Sequence, residues 1–140
     1  VLSAHLLEWP VIDPEWRSAA IEEKFSLLMA LRPLVLKQLD SERRAGIIGS
    51  SLEAKVILEI ADQEHETNLR SYADIIHSIF IVSQVEIRHI PKGISILGGK
   101  ADGQKCARCW NYKTDVGKTQ EHPTLCGFCA RVVKEIGVRA

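Results

Sequence analysis

The four cysteines of the chain all lie in its last quarter, as two Cys-x-x-Cys pairs. Cys106 and Cys109 form the first pair, Cys126 and Cys129 form the second, and sixteen residues separate the pairs. Two thiolates three residues apart on a tight turn can bind one ion from the same side, and a second such turn completes a tetrahedron. Zn²⁺ prefers this arrangement, and a site filled by four protein ligands is structural. We therefore predict one structural zinc ion.

Disulfides and an iron site are the alternatives for these cysteines. A disulfide within a pair would be a redox motif, but neither pair is followed by the β-α pattern of a thioredoxin-like site. Disulfides between the pairs are typical of secreted proteins, and residues 1–10 lack the basic start and long apolar core of a signal peptide. Iron in a rubredoxin-like site stays open, because the same thiolates accept it. His122 is expected to lie beside the site without binding the ion.

Composition and charge narrow the class of protein. The chain is 46% apolar and 26% charged, as in soluble globular proteins, and no apolar run approaches the length of a membrane span. Residues 1–99 hold ten Lys/Arg and fourteen Asp/Glu, whereas residues 100–140 hold eight and four. The cysteine segment is therefore the basic end. That asymmetry indicates either an anionic partner, most often nucleic acid, or an ordinary solvated surface.

Apolar periodicity predicts an α+β fold. A helix of about thirty residues should start at Asp13, be kinked near Pro33 and end at Gly46. Ser50 and Glu53 are spaced as a capping box. A small mixed β-α-β-β layer follows, with a strand over residues 54–60, a helix over 62–77, and strands over 79–90 and 94–97. The four-cysteine zinc finger or ribbon comes last, and residues 132–140 are expected to add a short helix.

Several segments together resemble the C-terminal region of bacterial isoleucyl-tRNA synthetases. The match covers nearly the whole chain, in the family's order. The matching segments are residues 3–10, 48–56 (Ile-Gly-Ser-Ser-Leu-Glu-Ala-Lys-Val), 80–85 (Phe-Ile-Val-Ser-Gln-Val), 106–110 (Cys-Ala-Arg-Cys-Trp), 115–117 (Asp-Val-Gly) and 122–129 (His-Pro-Thr-Leu-Cys-Gly-Phe-Cys).

The resemblance implies three parts and a function. Residues 1–48 would be the end of a helical anticodon-binding domain, 49–103 a small α/β junction domain, and 104–140 a zinc-binding module. The full enzyme joins isoleucine to its tRNA with ATP. This chain lacks the family's His-x-Gly-His and Lys-Met-Ser-Lys-Ser signatures and any recognisable editing site. We therefore expect a non-catalytic, monomeric, cytoplasmic piece that binds the anticodon side of tRNA(Ile) and the rest of the synthetase, and no membrane.

Side chains of the zinc module are the candidates for contact with tRNA. Trp110, next to Cys109, could stack on an unpaired base, or it could cover the metal site. Arg108 could donate to phosphate or to a base edge, and Asn111 could read a base edge. The candidate phosphate partners are Lys105, Lys113, Lys118, Arg131 and Arg139. A second hypothesis is a DNA-repair protein with a related zinc finger. Such enzymes depend on a catalytic N-terminal proline, whereas position 1 of this sequence is Val1.

Overall fold

A computed structural model describes residues 3–137 as helices, a mixed sheet and a small cysteine-rich module, which confirms the predicted α+β class. Three short 3₁₀ helices lie at Ala4–Leu6, Pro14–Trp16 and Ser51–Glu53. The longer elements are α1 (Ala19–Arg44), β1 (Ala54–Ile60), α2 (Gln63–Ser71), α3 (Ile76–Phe80), β2 (Gln84–His89), β3 (Ile94–Lys100), β4 (Gln104–Lys105), β5 (Tyr112–Lys113) and α4 (Gly127–Glu135). Arg139, one of the candidate phosphate partners, lies outside the described residues.

Helix α1 is the long N-terminal helix, but it begins later than predicted. Asp13 caps only the 3₁₀ helix Pro14–Trp16, where its side chain accepts from the N–H of Glu15, and Ser18 is the N-cap of α1. The extended backbone at Arg17 ends the first turn, so a cap signal at Asp13 produced a separate short helix. The helix runs through Pro33 as one element, and the kink there stays a prediction.

One face of α1 is buried against the sheet. Leu28, Leu31, Val35 and Leu39 are at most 3% exposed, at the three- and four-residue steps that place side chains on one helix face. Arg32 follows the buried Leu31 and is itself half-buried, and its Nε donates to the carbonyl oxygen of Ile79 at 3.2 Å. This hydrogen bond ties α1 to α3.

The mixed sheet has the order β2-β1-β3, with β1 at its centre. β1 pairs with β2 in parallel and with β3 in antiparallel orientation, from Lys55 opposite Gln84 and from Ala54 opposite Lys100. Alternate residues of β1 are buried, beginning at Ala54. The crossover between the parallel strands contains α2 and α3, so the main apolar cluster lies between α1, these two helices and the sheet.

The predicted helix over residues 62–77 and the strand over 79–90 both differ from the structure. α2 ends at Ser71, a second short helix α3 occupies Ile76–Phe80, and β2 begins only at Gln84. Ile81 adopts the left-handed conformation, with φ 57°, and ends α3. A short apolar run does not distinguish a strand from a buried helix by periodicity alone, and Ile76 and Phe80 are buried helical residues.

The predicted capping box is also wrong in its bonding. Ser50 makes no side-chain cap bond, and Glu53 instead accepts from the N–H of Gly49 at 2.9 Å. The carboxylate therefore stabilises the turn that leads from α1 into the sheet.

The cysteine module has its own small core beside the sheet. β4 and β5 form an antiparallel hairpin, and α4 follows the second cysteine pair. The helix predicted for the tail is present but begins earlier, at Gly127. Leu125, Ala130 and Val133 join the cysteines in a second apolar cluster. Over residues 3–137, no helix is both long and apolar enough to cross a bilayer.

Candidate metal centre and nucleic-acid surface

The four cysteines converge at one point in the module. Their Sγ atoms all lie within 4.8 Å of one another, and the Cys109 and Cys126 sulfurs are 3.9 Å apart. A tetrahedral zinc ion with Zn–S bonds of about 2.3 Å requires sulfur atoms about 3.8 Å apart. The donor set and its spacing therefore fit zinc. Among the residues that the structure describes, this is the one group of Cys, His, Asp and Glu side chains that could hold a metal ion.

The first cysteine pair lies on a turn that follows β4. The N–H of Cys106 donates to the carbonyl oxygen of Asn111, and the N–H of Trp110 donates to the carbonyl oxygen of Cys106, both at 3.0 Å. The turn closes because Trp110 adopts φ 64°, a conformation that costs a non-glycine residue about 1–2 kcal/mol. A tryptophan occupies a position where glycine would carry no such cost.

The second pair joins the first through the N-terminus of α4. Cys126 precedes the helix, and its N–H donates to the Cys106 sulfur at 3.3 Å. Asp115 accepts from the N–H of Gly127 at 2.9 Å, which satisfies one of the free donors at the start of the helix. A Cβ on Gly127 would lie 2.9 Å from that carboxylate, so the close approach depends on glycine.

Burial and neighbouring N–H groups act in opposite directions on the thiols. Burial disfavours the Cys106 thiolate, but backbone N–H groups of Cys109, Cys126 and Arg108 outweigh it and lower the Cys106 pKa to about 6. Burial, together with the adjacent cysteines, raises the pKa of Cys109 to about 12. A bound zinc ion reverses this second effect, because a metal deprotonates its coordinating thiols outright. The N–H groups that face sulfur support thiolate ligands.

Two of the predicted RNA-contacting residues lie on the first cysteine turn. Arg108 is exposed, and its Nη1 lies 3.7 Å from the Cys129 sulfur, so part of its charge faces the cluster. The Trp110 side chain is 60% exposed, and the Lys105 Nζ lies 5.5 Å from its ring centroid. More than half of the Trp110 surface is therefore open to solvent.

Four more of the predicted residues are spread over the module. Asn111 and Lys113 are half-buried and line one cleft with Cys109 and Cys126. Lys118 is exposed on the turn after Asp115. Arg131 is exposed on α4, 3.9 Å from the Glu135 carboxylate. His122 is half-buried and lies outside the four-cysteine group.

Sequence reasoning missed the residues that hold the module on the sheet and one exposed aromatic ring. Ser83 and Gln84 form hydrogen bonds to Tyr112 and Asp102, respectively. Phe128 is 61% exposed beside the second pair. A polar Ser-Gln pair inside the predicted strand over residues 79–90 carries no signal for such a contact. Phe128 was detectable, because it lies between the two cysteines of the second pair, in the first turn of α4.

The cysteine module matches a known family of zinc fingers. A family model described as a zinc finger found in FPG and IleRS matches residues 103–132. Together with the four-cysteine cluster, this match indicates one structural zinc ion and removes the rubredoxin-like alternative.

Longer matches cover the segments on either side of the finger. The isoleucine–tRNA ligase of Fervidobacterium nodosum is 38% identical over 94% of this chain and 15% of its own length. That of Gloeobacter violaceus is 41% identical over 86% of this chain and 13% of its own length. That of Syntrophotalea carbinolica is 38% identical over 95% of this chain and 15% of its own length. The chain spans less than a sixth of the length of these relatives.

The finger model alone is shared by two kinds of protein, but the upstream helix and sheet are matched by the ligases. The chain therefore belongs to the isoleucyl-tRNA synthetase family and corresponds to the C-terminal region of its bacterial members, zinc finger included.

Proposed function

We propose that this chain binds the anticodon arm of an isoleucine tRNA for an enzyme that attaches isoleucine to it with ATP. The observation that carries the proposal is Trp110, whose exposed ring is held on a metal-site turn beside Lys105. Unpaired RNA bases stack on such rings, and a nearby cation attracts the phosphate backbone. The relatives that match are named isoleucine–tRNA ligases, which supports tRNA as the partner.

The strained backbone of Trp110 supports a functional reason for that side chain. A tryptophan with positive φ reduces stability relative to glycine, and such costs cluster at binding sites. Its exposed ring recovers little through burial. The ring is therefore displayed at the expense of stability, as expected of a stacking platform.

A cleft beside Trp110 has room for a base. Its volume is about 450 Å³, and it is lined by Trp110, Lys105, Tyr112 and residues 50–53. The hydroxyl and carboxylate groups that share this cleft with the aromatic ring suit the ribose and the polar edge of a nucleobase. We assign the first base contact to this cleft.

The zinc ion acts as a clamp in this proposal. Cys106, Cys109, Cys126 and Cys129 would hold it, and four protein thiolates leave no position for catalysis. A zinc ion bound by the four cysteines would hold the turns of the two Cys-x-x-Cys pairs together, and with them the side chains proposed to face the RNA. Arg108, Lys113, Lys118 and Arg131 would donate to phosphate, and Asn111 to a base edge.

The segment before α1 is the proposed contact with the rest of the synthetase. Exposed apolar side chains near the N-terminus, among them Leu6, Trp9 and Trp16, suit a surface that packs against the rest of a synthetase. We propose that the whole enzyme is monomeric and cytoplasmic. We also propose that the three domains of this chain are residues 1–48, 49–103 and 104–140. No catalytic role is assigned to this chain.

RNA binding by the zinc-loaded chain tests the proposal. The probe is a hairpin with the sequence of an isoleucine tRNA anticodon arm, measured by fluorescence anisotropy at two salt concentrations. Loss of one stacked base by Trp110→Ala should weaken binding about 5- to 150-fold. Lys113→Ala should weaken it as well and reduce the slope of log affinity against log salt by about 1.

Two controls test whether the binding is specific to this surface and to this RNA. Lys92→Ala removes an exposed cation from the β2–β3 turn and should leave affinity and salt slope unchanged. A hairpin with the same stem and an altered anticodon should bind more weakly than the isoleucine probe. Equal binding of both hairpins, together with no effect of Trp110→Ala, would reduce the module to a structural cap.

A further inference from the structure

Phe128 repeats the arrangement seen at Trp110 on the other cysteine pair. Its side chain is 61% exposed, and the Arg131 guanidinium carbon lies 5.6 Å from its ring centroid. At Trp110 the corresponding cation distance is 5.5 Å. Each ring lies within two residues of a cysteine of the cluster, so the zinc clamp positions both. The module displays two aromatic rings, each with its own cation.

The two rings border different clefts. Phe128 lines a cleft of about 440 Å³ between the zinc module and the segment around α3. Asn111, Lys113 and the two cluster cysteines Cys109 and Cys126 contribute from the module, and residues 74, 77 and 78 contribute from the other side. No residue of this cleft lines the one beside Trp110. A ligand in one cleft therefore leaves the other free.

The lining of the Phe128 cleft suits a nucleotide better than a simple anion. Lys113 supplies a cation for phosphate, whereas the Asp74 carboxylate would repel a second anion and accept from a base amino group. Burial, together with the charge of Lys113, lowers the pKa of His77 and favours its neutral ring, which has one donor and one acceptor. Asn111 and Ser78 add further groups that can pair with a base edge.

We propose that the Phe128 cleft binds a second unpaired nucleotide of the same RNA, with its base stacked on Phe128 and its phosphate near Lys113. This inference rests on the proposed function, because it takes the RNA bound at Trp110 as its ligand. The zinc module would then hold two unstacked nucleotides, one on either side of the metal cluster. Phe128 is a specificity residue for the RNA loop in this arrangement.

Crosslinking locates the two contacts separately. The anticodon-arm hairpin is prepared with 5-iodouridine in its loop, irradiated with the zinc-loaded chain and digested with trypsin. Trp110 falls in peptide 109–113, which also carries Asn111 and Lys113 of the Phe128 cleft, and Phe128 falls in peptide 119–131. Fragmentation of each peptide therefore has to assign the crosslink to a residue. We expect crosslinks at both Trp110 and Phe128. Crosslinks confined to Trp110 would overturn the second site and leave the first intact.

Affinity measurements test the stacking itself. Phe128→Leu should weaken hairpin binding about 5- to 150-fold, Phe128→Tyr should retain it, and Ile136→Ala, which removes another exposed apolar side chain near the end of α4, should change nothing. Absorption of the Co²⁺-substituted variants reports whether the metal site is intact. If Phe128→Leu disturbs it, the crosslinks decide.

The outcomes distinguish this inference from the proposed function. No hairpin binding by the wild type, or no loss with Trp110→Ala, contradicts the proposed function. Loss with Trp110→Ala together with wild-type affinity for Phe128→Leu contradicts the second nucleotide site alone.

Discussion

The side-chain amide of Gln84 forms two hydrogen bonds with the backbone of Asp102. Its Nε2 donates to the Asp102 carbonyl oxygen at 2.8 Å, and its Oε1 accepts from the Asp102 N–H at 3.0 Å. The neighbouring Ser83 accepts from the N–H of Tyr112 at 2.7 Å and donates to the carbonyl oxygen of Leu52. The start of β2 thus connects the sheet to Asp102, just before β4, and to Tyr112 in β5.

Replacing Gln84 by Met should loosen this connection without releasing zinc. The two bonds to Asp102, which each contribute about 0.5–1.5 kcal/mol, are lost together with a longer one from Nε2 to the Tyr112 carbonyl oxygen at 3.4 Å. The sulfur atoms keep their own N–H donors. We expect amide exchange to show that the opening free energies of Asp102 and Tyr112 fall by about 1–2 kcal/mol, with Co²⁺ affinity unchanged. Gln120→Met, on an exposed turn of the module, is the matched control. If Co²⁺ affinity falls as well, metal binding depends on the attachment of the zinc module to the sheet.

Glycine at position 110 should give a more stable protein than alanine. Both substitutions remove the exposed indole, but only glycine accepts φ 64° without strain. Denaturant unfolding of the zinc-loaded variants should show Trp110→Gly more stable than Trp110→Ala by about 1 kcal/mol. Equal stabilities would mean that the turn relaxes to negative φ when the ring is absent, and the argument from backbone strain would fail.

Gly103 and Gly93 separate steric overlap from backbone strain. Both have positive φ, 89° and 80°. A Cβ at Gly103 would overlap the carbonyl of Lys113 and lie 2.7 Å from the Thr114 nitrogen, whereas a Cβ at Gly93 meets nothing within 4 Å. We expect Gly103→Ala to reduce the free energy of unfolding by about 1–3 kcal/mol more than Gly93→Ala. Similar losses would mean that the β4–β5 hairpin shifts to accommodate the methyl group.

The Glu66 carboxylate should make stability depend on pH in the acid range. Its side chain is only 9% exposed; Oε1 accepts from Arg70 Nε, and Oε2 pairs with His89 Nδ1, both at 2.8 Å. Arg70 and, to a smaller extent, His89 lower the Glu66 pKa below its usual value of 4.5. A lowered folded-state pKa contributes stability above the unfolded-state pKa, and that stability is lost as pH falls through the folded-state value.

The difference between wild type and Glu66→Gln measures this contribution. Zinc release at low pH affects both chains and cancels in the difference. The stability advantage of the wild type, measured by denaturant unfolding, should be constant above about pH 5 and shrink as pH falls below 4.5. An advantage that stays constant down to pH 3 would show that the Arg70 and His89 contacts do not favour the charged form.

Sequence patterns predicted the parts of this fold that depend on local spacing. The two Cys-x-x-Cys pairs indicated the metal cluster, because each places two sulfurs on one turn whatever surrounds it. β1 was predicted with its observed bounds, since alternate burial of a central strand matches its own residue pattern. These features need no knowledge of distant residues.

Tertiary contacts decided the features that the sequence did not reveal. The apolar run over residues 75–82 forms a short helix and a turn because Ile76 and Phe80 enter the main core. The two-residue strands β4 and β5 are too short to carry a periodic signal. The Phe128 cleft forms only where His77, far away in sequence, meets the zinc module.

Removal of zinc should unfold the cysteine module and leave the sheet folded. The module has a small apolar cluster in which the cysteines are themselves members, so loss of the metal leaves little core to hold it. The main cluster between α1 and the sheet contains no cysteine. After chelation we expect amide protection to disappear from about Gln104 onward and to persist in β1 and β2. Equal loss of protection in both regions would show that the sheet depends on the zinc clamp, with the bonds of Ser83 and Gln84 as the route.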